Sequence, residues 1–159
     1  MVVEFWATWC PPCRQSIPHL NEMQKTFPKV QFLGVSNEKR APVEQFVRGM
    51  GAQMSYRVAV DPTGATEAYS RHFAFKGIPA AVVIDKHGNM VWSGHPMEPA
   101  FEEAVRKADA EVMVDLSKES AESLGARSVK ELKALAATHR ISLDGCVEKS
   151  EIVARLQGK

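Results

Sequence analysis

Cys10-Pro11-Pro12-Cys13 is the part of this 159-residue chain with the clearest chemical use. Two thiols separated by two residues can close a small disulfide loop and reopen it. If the pair stands in the first turn of a helix, the free backbone N–H groups and the helix dipole favour negative charge on the first sulfur. Cys10 is therefore the candidate nucleophile, and Cys13, one turn on, the resolving thiol. Exchange then runs by thiolate attack on a disulfide, a mixed disulfide, and an internal attack that releases the reduced partner. Pro11 and Pro12 stiffen the loop and remove two backbone donors. Two other uses of paired thiols fit less well. Structural zinc needs two further ligands, and the chain has no second Cys-x-x-Cys or Cys/His cluster; His19 shares the helix, while His72, His87, His95 and His139 are scattered. Inert paired thiols would leave the helix-terminus placement unused. Cys146 stands alone, and three cysteines are too few for a disulfide framework.

The dithiol needs elements that hold it at a helix start. Val2-Val3-Glu4-Phe5-Trp6 reads as a short buried strand. Ile17, Leu20, Met23 and Phe27 recur at helical spacing, which predicts a helix from Pro11 to about Phe27, with Pro18 kinking it. Residues 30–35 form a second strand, and strand–helix–strand is the unit of a parallel sheet. A helix over 42–50, a strand over 56–60 and a helix over 65–72 follow. The strands predicted at 80–84 and 89–93 flank Lys86-His87-Gly88, a hairpin signal. Met97, Phe101, Ala104, Val105 and Ala108 then mark an amphipathic helix. The first unit ends near residue 112.

Composition narrows the function classes. The chain is 45% hydrophobic, 25% charged and 8% aromatic, which excludes disordered and fibrous classes. A net charge of +1 gives no bulk electrostatic case for nucleic acid or anionic membrane as the main partner. No apolar run approaches the roughly 20 residues that span a bilayer. The first apolar stretch contains Glu4 and runs into Cys10, so it does not read as a signal peptide, which favours a cytoplasmic or organellar location. The chain also opens inside its first strand, as an incomplete N-terminus would.

The stretch Val3-Glu4-Phe5-Trp6-Ala7-Thr8-Trp9-Cys10-Pro11-Pro12-Cys13-Arg14 resembles the active-site strand and helix of the thioredoxin superfamily. Ile17-Pro18 in the helix, the strand–helix insert, and Val91-Trp92-Ser93-Gly94-His95-Pro96 after the hairpin resemble the TlpA/ResA-like thiol–disulfide oxidoreductases. The resemblance covers about residues 1–112 and implies a three-layer α/β/α fold around a mixed sheet. It implies a protein-disulfide reductase or exchange enzyme with no cofactor besides the Cys10–Cys13 disulfide. Its partners would be protein disulfides and an upstream thiol reductant. Glu4 matches the buried acid of thioredoxins, a proton acceptor for the resolving thiol whose pKa burial should raise; the alternative is a surface carboxylate on an edge strand. Gly77-Ile78-Pro79 matches the cis-proline loop that pairs with the substrate backbone, and Trp9 should form an apolar rim beside Cys10, while core packing suits Trp6 better. Pro11 and Pro12 fall within the same substrate-binding surface.

Two departures stand out: the first strand and helix of the family lack a counterpart, and Ser16 occupies a position where TlpA/ResA-like chains often carry Glu. Tryparedoxin- and nucleoredoxin-like electron donors share Trp-Cys-Pro-Pro-Cys and Gly-Ile-Pro. A peroxiredoxin fits poorly, because Ala7 stands where its Thr or Ser would be.

Residues 113–126 read as a linker and 127–159 as a small helical domain. From residue 117 on there are eight Lys/Arg and six Asp/Glu, a net charge of +2. Ser128-Val129-Lys130-Glu131 is a capping-box pattern for a helix with Leu132, Leu135 and Ala136 inward, and Ile152, Val153 and Leu156 mark another. This segment resembles SAP-like helix–turn–helix modules, closest to those of the MANF/CDNF family and of certain RING-finger proteins. SAP modules imply DNA binding, but the mixed charge favours docking to a protein. The tail could thus make the chain an adaptor. Cys146 is expected to be a half-buried packing thiol.

Overall fold

The predicted strand–helix–strand start is present: β1 (Val2–Phe5), α1 (Pro11–Thr26) and β2 (Phe32–Ser36). A computed structural model describes residues 1–73, 75–110 and 114–158 of the chain. After β2 come α2 (Arg40–Met50), β3 (Arg57–Val60), α3 (Ala65–His72), β4 (Ala80–Ile84), β5 (Met90–Gly94) and α4 (Pro99–Ala110). The sheet order is β3-β2-β1-β4-β5. β1, β2 and β3 run parallel, while β4 is antiparallel to both β1 and β5. The sheet is therefore mixed, with β1 at its centre.

Because side chains alternate along a strand, the register assigns them to two faces. Val2 and Glu4 share one face with Val83 and Ala81. There they meet Ile17 and Leu20 of α1 and Phe101 and Val105 of α4, all fully buried. Phe5 and its partner Ala80 lie on the opposite face, where Phe5 contacts the rings of Tyr69 from α3 and Phe75. With both faces covered, β1 and β4 read in sequence as apolar runs rather than alternating ones. Pro18 sits on the exposed side of α1, which continues through it to Thr26.

The chain divides into two compact units, Met1–Glu111 and Val112–Lys159. The second consists of α5 (Ala121–Ala126), α6 (Val129–Thr138) and α7 (Lys149–Leu156). Ser128 Oγ accepts the Glu131 N–H, and the Glu131 carboxylate accepts the Ser128 N–H, so the capping box is formed. Leu124, Leu132, Ala136, Ile152, Val153 and Leu156 make the core, with half-buried Cys146 packed against it.

One expectation needs correction. Residues 116–126 are not linker: residues 116–118 form a turn of 3-10 helix, and α5 delivers Leu124, with no exposed surface, into the second core. Six residues with a single buried apolar side chain and a glycine carry no periodicity, so the helix was invisible in the pattern. The expected boundary at residues 112 and 113 falls outside the described residues.

Candidate active site

Cys10 is the N-cap of α1 and is disulfide-bonded to Cys13, with Cα atoms 5.3 Å apart. Pro11 and Pro12 fill the first helical positions, where a missing N–H costs nothing. The first N–H the helix can offer is that of Cys13, and it donates to Cys10 Sγ at 3.2 Å. The first turn holds no acidic residue to oppose an anion there. Cys13 has no exposed surface and Cys10 has 3%, so an incoming sulfur meets Cys10 first.

The opposing segment comes from the loop before β4. The Ile78-Pro79 peptide bond is cis, and Ile78 O lies 3.7 Å from Cys10 Sγ. Trp9 is 65% exposed beside the dithiol, whereas Trp6 is 2% exposed in the core. A cavity of about 340 Å³ opens between Trp9, Phe5, Phe75, Gly77 and Ile78. Thus Trp9, Gly77, Ile78 and Cys10 share one edge of the first unit, and Pro11 and Pro12 are exposed at the helix start next to them.

Beneath this surface lies Glu4. It sits on the central strand between Gly34 of β2 and Ala81 of β4 and is 1% exposed. An edge-strand carboxylate is thereby ruled out. Burial pushes its pKa up to about 8, and hydrogen bonds from two hydroxyls partly oppose the rise. Ser16 Oγ donates to Oε1 at 3.0 Å and Tyr56 OH to Oε2 at 3.2 Å. Tyr56 reaches it because Gly34 has no side chain: a Cβ there would stand 3.2 Å from the Tyr56 ring and 2.9 Å from Trp6 Nε1. Burial, and then the Glu4 carboxyl, push the Tyr56 phenol well above its ordinary value. Ser16 Oγ also lies 2.9 Å from the Cys13 carbonyl oxygen, so the carboxyl is tied to the turn that carries Cys13.

A second carboxylate holds the loop ahead of Cys10. Thr8 donates to Glu38 through both its backbone N–H and its hydroxyl, each at 2.7 Å. Arg14 Nε donates to Thr8 O at 2.8 Å, and the Cys10 N–H closes the turn onto Ala7 O at 3.2 Å. Trp9 is therefore presented outward by a loop fixed on both sides.

Residues 1–90 match the family model described as "Thioredoxin-like". The chain belongs to the thioredoxin-like family. A thiol:disulfide interchange protein of the thioredoxin family from Chlorobium tepidum TLS has 30% identity and a TM-score of 0.56, over 68% of this chain and 78% of that one. A thio-disulfide isomerase from Thermus thermophilus has 26% identity and a TM-score of 0.54, over 70% and 80%. The thiol-disulfide oxidoreductase ResA of Halalkalibacterium halodurans is 28% identical over 93 residues, 56% of this chain. The chain spans about half the length of that curated relative. Residues 117–158 match a separate model, the "E3 ubiquitin-protein ligase rififylin-like domain". That match falls with the RING-finger side of the expected likeness.

Within the thioredoxin-like unit, Tyr56 and Glu38 escaped the sequence reading. Tyr56 lies in a predicted strand and Glu38 in a loop, and neither adjoins the dithiol in sequence. A usable signal existed for Glu38. It follows the carboxyl end of β2, and in open α/β sheets functional groups gather at the carboxyl ends of the central strands. Among the described residues no cluster of three His, Cys, Asp or Glu is placed to hold a metal ion, and no helix is long and apolar enough to cross a membrane.

Proposed function

We propose that the thioredoxin-like unit is a thiol–disulfide oxidoreductase that exchanges disulfides with protein partners through Cys10 and Cys13. The observation that carries this reading is the Cys10–Cys13 disulfide at the N-terminus of α1, facing Ile78 O and underlain by buried Glu4. In the reduced state Cys10 attacks one sulfur of a substrate disulfide as the thiolate. The other substrate sulfur leaves and takes a proton from solvent. Cys13 gives its proton to the Glu4 carboxylate and attacks Cys10 Sγ, which closes the internal disulfide and expels the second substrate thiolate. Two electrons pass from the dithiol to the substrate, and an upstream thiol reductant restores them. A pKa of about 8 is close to that of an ordinary thiol, so Glu4 can take the proton in this direction and return it in the other. The substrate backbone would pair along Gly77-Ile78-Pro79, with Trp9, Pro11 and Pro12 forming the rim.

Trapping tests this directly. Cys13→Ser should accumulate a mixed disulfide through Cys10 when reduced protein meets insulin, visible by mass as one insulin molecule attached. Absence of that adduct, together with parental protein that leaves insulin unreduced, rejects the reading.

The second unit is read as a docking module for a protein. Its support is the mixed charge of +2 from eight Lys/Arg against six Asp/Glu, and Val147 standing 90% exposed beside α7. The full chain should therefore not retard DNA in a gel. Retardation at low salt that disappears as salt is raised would instead assign the tail to nucleic acid.

A further inference from the structure

We propose that Ser16 is a positioning residue for the Glu4 proton, a hydroxyl that reverses its hydrogen bond each time Glu4 gains or loses that proton. The inference rests on the reading of Glu4 as the proton partner of Cys13.

Ser16 Oγ carries one proton and has two acceptors in range, Glu4 Oε1 at 3.0 Å and Cys13 O at 2.9 Å. It can donate to only one of them at a time. Tyr56 differs, because its hydroxyl is placed on Glu4 Oε2 at 3.2 Å and it is itself buried. Tyr56 thus occupies Oε2 as a donor in either state, which leaves Oε1 as the oxygen that takes up the proton.

With Glu4 ionised, the Ser16 O–H donates to Oε1. With Glu4 protonated, Oε1–H donates to Ser16 Oγ, and the serine proton turns to the Cys13 carbonyl. Every buried polar atom in the group keeps a partner in both states, so neither incurs the penalty of an unsatisfied buried group. Alanine at this position removes a hydrogen bond from both states. The larger loss falls on the ionised one, whose bond is charge-assisted. Glu4 would then give up its proton only at higher pH.

Among the described residues, the groups facing Glu4 are few. The α1 helix brings Ser16, which also reaches the carbonyl of the titratable Cys13, the segment before β3 brings the Tyr56 phenol, and the flanking strands bring Gly34 and Ala81. Cys13 and Tyr56 are the titratable ones. Loss of the Ser16 hydroxyl should therefore disturb the Cys13 step alone.

Reaction of reduced protein with one equivalent of 5,5′-dithiobis(2-nitrobenzoate) separates the two steps. The first thionitrobenzoate leaves when Cys10 attacks, and the second when Cys13 attacks the mixed disulfide. In Ser16→Ala the pH midpoint of the second phase should rise by roughly one pH unit, the scale set by the difference between losing a hydrogen bond to a charged group and losing one to a neutral group. The first phase should keep its parental midpoint. Ser16→Thr, which restores a hydroxyl, should bring the second phase back to within about half a pH unit of the parent. Alanine is the better helix former, so the first variant keeps the helix. An unmoved second phase in Ser16→Ala overturns the proposal, as does an equal displacement of both phases, which is what a general loosening of the site would give. A parental protein that releases a single equivalent rejects the dithiol chemistry itself, and the role of Ser16 falls with it.

Discussion

Cys10→Ser should reduce disulfide exchange to the uncatalysed background, a loss of roughly a thousandfold or more, while the protein keeps its fold. The expectation follows from where the sulfur sits. Cys10 Sγ is the acceptor for the first available N–H of α1, with no acidic residue in that turn and Ile78 O on the other side. A thiolate there is held by the same donor that contacts the disulfide. A serine hydroxyl is essentially un-ionised at neutral pH and cannot form the mixed disulfide, so no electron transfer follows. The contrast with Cys13→Ser is the stronger part of the test. Both variants lose turnover, but only Cys13→Ser can hold a covalent adduct, because its Cys10 still attacks and nothing resolves the bond. Insulin reduction followed by turbidity, with mass spectrometry for the adduct, reads both. Turnover in Cys10→Ser above background would remove Cys10 from the chemistry.

The dithiol was legible because its signal is local. Two cysteines at a fixed spacing, a strand before them and an apolar helical stripe after them place sulfur at a helix start without any tertiary knowledge. What surrounds them was less legible, because it is assembled from distant segments. Glu4 meets Tyr56 across 52 positions, Thr8 meets Glu38 across 30, and Cys10 approaches Ile78 across 68. No periodicity encodes such meetings. Glu4 and Ile78-Pro79 were reached only through resemblance to a family, and Tyr56 and Glu38 not at all. The bare Gly34 that admits the Tyr56 ring shows the difficulty: it matters for what it lacks, and only the register of β1 against β2 reveals the space.

The fold followed a similar division. Strands and helices with strong apolar patterns fell within a few residues of their expected limits, including the strand–helix insert that places β3 beside β2. The failure was α5, where a single buried leucine in a stretch of small and polar residues reads as linker. Its burial depends on α6 and α7 closing over it, a tertiary cause that local pattern cannot express.

Glu4→Gln should make the thioredoxin-like unit more stable at alkaline pH and slower in the resolving step. A carboxyl whose pKa rises from 4.5 in the unfolded chain to about 8 in the native state keeps a proton on folding that the unfolded chain has released. Its contribution is therefore complete below pH 4.5, declines as pH rises, and is lost above about 8. A tenfold difference in proton affinity between the two states corresponds to about 1.4 kcal/mol, so the parent should lose roughly 4 to 5 kcal/mol across that window through this group alone. Glutamine has no proton to lose and a similar shape, and should flatten the slope. Denaturation of the oxidised protein at pH 5 and pH 9, followed by tryptophan fluorescence, reports on this unit, because Trp6, Trp9 and Trp92 all lie in it. The variant should match the parent to within about 1 kcal/mol at pH 5, where an amide and a neutral carboxyl make similar hydrogen bonds, and exceed it at pH 9. In the same variant Cys13 has no carboxylate to receive its proton, and the second phase of thionitrobenzoate release should slow by about a hundredfold. Equal pH slopes in parent and variant would show that Glu4 does not hold its proton on folding. Greater stability joined to slower chemistry has a direct physical meaning: the central strand carries a charge that opposes folding at the pH where Cys13 needs a base.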